Sequence, residues 1–102
     1  MDRDLLNVSR ETLERKDMQD LKDTVDNMLS ADYKKRFFAE YDQLKIRRKK
    51  LSDMIEKYMS GELNFEPKTP IAILMAQCAI MDAYLDILKE RSRVEGLYDI
   101  NE

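Results

Sequence analysis

The sequence predicts an all-α chain of three helices, at about 10–29, 31–60 and 70–95, the last two forming an antiparallel hairpin over 33–95. Three observations carry that expectation. Glycine and proline number two each in 102 residues, and both prolines fall in one short stretch, which leaves long uninterrupted segments. Apolar residues recur at helical spacing: Phe37, Leu44, Leu51 and Tyr58 lie seven apart, as do Ile73, Ile80, Ile87 and Val94. Between the two series runs Gly61-Glu62-Leu63-Asn64-Phe65-Glu66-Pro67-Lys68-Thr69-Pro70, a connection so short that the flanking helices must fold back and pack.

Residues 1–8 show no sustained period. Ser9 offers a side-chain oxygen to cap a first helix, with Glu11 and Glu14 near its positive end. Met18, Leu21, Val25 and Met28, with Leu29 beside them, make a thin apolar stripe on an otherwise charged rod. Ser30 is the expected cap of the second helix. Gly61 suits the left-handed residue that ends it. Thr69 before Pro70 reads as a cap followed by a first-turn proline. The third helix is apolar on two lines. Ile71, Cys78 and Leu85, with Leu74, Met81 and Leu88, face the hairpin partner, while Ile73, Ile80, Ile87 and Val94 form a second row. One partner helix cannot cover so wide a stripe, so the first helix or another subunit is expected to bury that row. Gly96-Leu97 has the glycine-then-hydrophobe form of a Schellman ending.

Length and composition narrow the functional classes. A chain of 102 residues is a single domain, 1–102, divisible into an N-terminal segment and helix (1–30) and the hairpin (31–96). Its core is modest, which makes association into a homo-oligomer useful. With no histidine and one cysteine, the commonest general base, a zinc set and a Cys–His nucleophile are all lacking. Two glycines allow no phosphate-cradling loop. The expectation is therefore no enzyme, no catalytic residue, no metal and no cofactor. The N-terminus has no secretory signal pattern, and the apolar run Ile71–Met81, broken by Gln77 and stopped by Asp82, reads as too short for a membrane span. A soluble cytoplasmic protein without membrane contact is expected.

The formal charge of −3 is unevenly spread. Residues 1–31 carry eight acids and five bases, residues 51–102 ten and five, and residues 32–50 three and eight. The positive field belongs to the first part of the second helix, and above all to Lys45-Ile46-Arg47-Arg48-Lys49-Lys50. Tyr33, Phe37, Phe38 and Tyr41 lie upstream, and bases with aromatics suit a phosphate-bearing ligand with a stackable base. A solvated basic face balancing acidic neighbours is the alternative. The pI of about 5.1 and the interleaved acids argue against DNA. Heptad spacing also aligns Glu40 with Arg91, Arg47 with Tyr84 and Met54 with Gln77 across the hairpin. Those layers either set register or line a cavity. The candidate ligand-binding residues are thus Arg47, Arg48 and Lys50 for charge, with Tyr41 and Tyr84 for stacking or hydroxyl contacts.

Glu40-Tyr41, Leu44, Arg47, Lys50-Leu51, the Gly61–Phe65 turn, Pro70, Gln77, Met81, Tyr84, Leu88, Arg91 and Glu95-Gly96 resemble a family of small helical phage and prophage proteins named after a crAss-like phage reading frame. The likeness covers Tyr33 to Gly96. More loosely, a short phage hairpin with an extra N-terminal helix is similar to anti-CBASS and anti-Thoeris nucleotide sponges. That resemblance implies an oligomer that sequesters a cyclic or signalling nucleotide in the cytoplasm of the host bacterial cell. The second reading is a protein–protein inhibitor or assembly factor that meets a host defence protein through its helical surfaces.

Overall fold

The computed structural model describes residues 19–97 and is all-α: among them there is no strand. A single 3-10 turn, Leu21–Thr24, runs directly into one turn of α-helix, α1 (Val25–Met28). Two long helices follow, α2 (Tyr33–Ser60) and α3 (Ile71–Val94). The predicted first helix is shorter and tighter over its described part than a straight α-helix through residue 29; its residues 10–18 and the Ser9 cap lie outside the described residues.

The helix ends are set by local chemistry. Asp32, not Ser30, caps α2: its carboxylate accepts from the Lys34 N–H at 3.0 Å. Ser30 acts one step earlier, its hydroxyl accepting from the Asp32 N–H at 3.0 Å and so holding the cap in place. Gly61 closes α2 at φ 80°, with the Glu62 N–H reaching the Lys57 carbonyl at 2.8 Å. Gly96 does the same for α3 at φ 72°, and the Leu97 N–H bonds to the Ser92 carbonyl at 2.9 Å. Leu97 then packs on the core, completing the Schellman pattern. Thr69 does not cap α3. Pro70 itself occupies the cap position in an extended conformation, and its carbonyl accepts from Ile73 at 3.0 Å.

The core sits at the open end of the hairpin, where Phe37, Phe38, Tyr41 and Leu44 of α2 meet Leu85 and Leu88 of α3. Phe37 and Phe38 stand edge to face at 5.7 Å. Toward the turn, Leu51, Met54, Ile55, Tyr58, Ile71, Leu74 and Cys78 are only half-buried. The N-terminal turns supply a third layer, and they pack on α2 alone. Thr24, fully buried, anchors them: its hydroxyl donates to the Leu21 carbonyl at 2.7 Å and accepts from the Gln43 amide at 2.8 Å.

The second apolar row of α3 is therefore left open by every described residue of the chain. Ile73, Ile80, Ile87 and Val94 are 58, 69, 59 and 70% exposed. By length and composition α3 could cross a membrane, its best 18-residue stretch having mean hydropathy 1.7. This corrects the reading that the apolar run ends at Met81, because Gln77 and Asp82 interrupt it without ending it. A bilayer would also have to admit the charged α2 packed along it, at roughly 2.5–3.5 kcal/mol for each central Lys or Arg.

Candidate functional site

The polar partners across the hairpin differ from those that spacing suggested, although Arg48 meets Asp82 at nearly the expected level. Tyr84 donates its hydroxyl hydrogen to Glu40, one heptad from the expected Arg47. Arg91 does not meet Glu40. It lies over the Phe37 ring at 5.1 Å, donates to the Tyr33 hydroxyl at 3.0 Å and holds Glu95 at 3.2 Å. Tyr33 in turn donates to Glu95 at 2.6 Å, so three polar side chains close a ring that ties the start of α2 to the end of α3. The Glu95 carboxylate lies below the usual carboxylate range because it accepts the Tyr33 hydroxyl. The Tyr33 and Tyr84 hydroxyls lie above the usual phenol range, held by Glu95 and Glu40.

The five candidate residues separate into three groups. Tyr41 is 4% exposed and belongs to the core; its ring carries the Lys45 ammonium at 5.9 Å on its outer side. It has no face free for stacking a ligand, which corrects that expectation. Arg48 crosses the hairpin to Asp82, with Nε 2.7 Å from Oδ1 at an angle short of a hydrogen bond and Nη2 donating to Oδ2 at 3.3 Å. Asp82 holds the Arg48 proton more tightly than usual, and the pair works as a hairpin cross-tie. Arg47, about 100° round the helix from Arg48, is exposed. By helical geometry it lies within about 20° of Glu40, on the flank where Glu40 holds Tyr84, itself 42% exposed. Lys50 lies about 60° further round α2 from Arg47, toward the turn.

That flank leads to a groove of about 410 Å³ at the turn, lined by Lys50, Asp53, Met54, Lys57, Glu62, Leu63, Asn64 and Phe65. Arg47, Lys50, Met54 and Lys57 follow one another at helical spacing along it. The Asp53 carboxylate is engaged by Lys49 at 3.0 Å, which lessens its repulsion of an anion. Phe65, 55% exposed, presents an aromatic face beside two ammonium groups. Sequence reasoning missed Lys57 and Phe65. Lys57 continues the spacing of Lys50 by seven, but Phe65 lies in the turn, where periodicity gives no signal. Among the described residues no three His, Cys, Asp or Glu side chains are placed to hold a metal ion.

The groove thus sets two ammonium groups, Lys50 and Lys57, and the Phe65 ring among two carboxylates, Asp53 and Glu62. No curated protein and no solved structure matches the chain. A family model does, over residues 31–93, and its description is Sequestin.

Proposed function

The chain belongs to the Sequestin family, whose name denotes sequestration, and from that premise we propose that it is a non-catalytic phage anti-defence protein. It captures a phosphate-bearing host immune signal, a cyclic or signalling nucleotide, and acts as an oligomer in the host bacterial cytoplasm. The observation that carries this reading is the basic flank of Arg47, Lys50 and Lys57 ending at exposed Phe65. Cations neutralise phosphate while the ring stacks on the base, and stacking is worth about 1–3 kcal/mol per base. Tyr84 supplies a further ring on the same side; Arg48 and Tyr41 support the scaffold. Capture of this kind is stoichiometric, so affinity and copy number take the place of turnover.

A thermal-shift panel of cyclic, linear and ADP-ribose-derived nucleotides tests it. A ligand at a hundred times its dissociation constant stabilises the fold by about 2.7 kcal/mol. Lys50→Ala with Lys57→Ala should abolish that gain while leaving the unliganded melting temperature near the wild-type value, since both side chains are exposed. The absence of any shift across the panel sinks the reading. The second reading, a protein–protein inhibitor or assembly factor, is favoured by the open Ile73–Val94 row. A stoichiometric host protein recovered with the bait, and lost in Ile80→Glu, would support it.

A further inference from the structure

The outward face of α3 is more than a row of isoleucines. Ile73, Ile80, Ile87 and Val94 alternate with Ala76 and Ala83 at the three-and-four spacing of a heptad, and Ala72 and Ala79 flank them. All eight are exposed. Large residues at one heptad position and alanine at the other make a surface complementary to itself. When two such helices run antiparallel, the two central isoleucines, Ile80 and Ile87, each face an alanine and the backbones can approach closely there, while Ile73 lies opposite Glu90 at the ends.

We propose that α3 pairs through this face with the α3 of a second copy, antiparallel, about a two-fold axis between Met81 and Asp82. Charge selects this arrangement from the alternatives. A parallel pair would place the two Glu90 carboxylates in one core layer. An antiparallel pair shifted one heptad toward the C-terminus would set the two Asp86 side chains against each other at the axis. With Ile80 opposite Ala83 and Ile87 opposite Ala76, each Asp86 lies beside an Ala79, and the two Glu90 residues sit at opposite ends. Glu90 is also ion-paired with Arg93 of its own helix, so its charge is partly met. The axis is isologous, so both copies use the same patch and the assembly closes at two. Tyr84 of one copy then lies beside Gln77 of the other, bringing the rim of the interface to the basic flank. This supplies the oligomer in the proposed function, but it is tested without any nucleotide.

Light scattering should give twice the chain mass of 12.1 kDa at tens of micromolar, and Ile80→Glu should halve that mass with helical circular dichroism unchanged. Cysteine pairs in a Cys78→Ala background read the register independently. Ile80→Cys mixed with Ala83→Cys should give a disulfide-linked dimer on mild oxidation, and Glu90→Cys alone should not. A monomeric wild type, an unchanged mass in Ile80→Glu, or efficient Glu90→Cys self-linkage overturns the proposal. Flotation of the wild type with neutral phosphatidylcholine vesicles, lost in Ile80→Glu, would assign the face to a lipid surface and overturn it as well. A ligand panel without a hit leaves these readings standing, so the two failures are distinguishable.

Discussion

The two ends of the hairpin are built differently. At the open end three layers meet, and Phe37, Phe38, Tyr41, Leu44, Leu85 and Leu88 are buried. At the turn end two helices face each other alone, and their seam residues stay half-exposed. The difference follows from where the N-terminal turns dock. Thr24 and Gln43 fix them against the first half of α2, so nothing among the described residues widens the core beyond Leu51. Burial is concentrated at one end, and the groove with Lys50, Lys57 and Phe65 lies at the other.

The largest effect should separate the ends directly. Leu88 is 0% exposed, and Leu88→Ala should cost about 2–5 kcal/mol. Leu74→Ala, at a half-buried seam position near the turn, should cost roughly 1 kcal/mol. Paired denaturant titrations check the ratio, and equal losses would erase the distinction. A smaller effect comes from Gly61→Ala. A Cβ there meets nothing within 4 Å, so the loss is purely that of forcing φ 80° on a non-glycine residue, about 1–2 kcal/mol. It should loosen the turn-end groove and leave exchange protection at Phe37 and Leu88 largely intact.

The smallest effect concerns the Tyr33–Arg91–Glu95 ring at the open end, and it depends on pH. Glu95 is lowered on folding, so its contribution is present above the usual carboxylate range and is lost as pH falls through the folded value. Tyr33 is raised, so its contribution is present below the usual phenol range and is lost as pH rises through the folded value. The stability difference between wild type and Tyr33→Phe should therefore be widest between the two ranges and close toward both extremes. All three groups are solvent-accessible, and added salt should narrow the gap further. A pH-independent difference would mean that Tyr33 acts through packing on Phe37 alone.

Much of this architecture is legible in the residues. The Gly61 and Gly96-Leu97 endings and the apolar seam follow from local rules that tertiary structure does not override. The polar partners were not legible, for a definite reason. Long side chains reach along the hairpin as well as across it, so Tyr84 meets Glu40 and Arg91 meets Tyr33, while Arg48 and Asp82 pair nearly level. Tyr41 was hidden for another reason: a ring beside basic residues reads as a stacking platform until the core takes it in. Arg48 was ambiguous because four consecutive bases point round the whole helix, and its choice of Asp82 needs three dimensions. Arg47 and Lys50 stay candidates because both remain exposed on α2.

The ten residues from Gly61 to Pro70 between α2 and α3 also determine how the chain acquires its shape. Every pairing joins neighbours in sequence: the N-terminal turns dock on the helix that follows them, and α2 docks on the helix after a short connection. Loop closure over so few residues loses little chain entropy, and helical topologies of low contact order fold in microseconds to milliseconds. During synthesis α1 and α2 can associate before α3 has emerged, leaving one closing step. The stoichiometric capture proposed above is served by that kinetics, because a chain becomes a usable molecule soon after α3 is made.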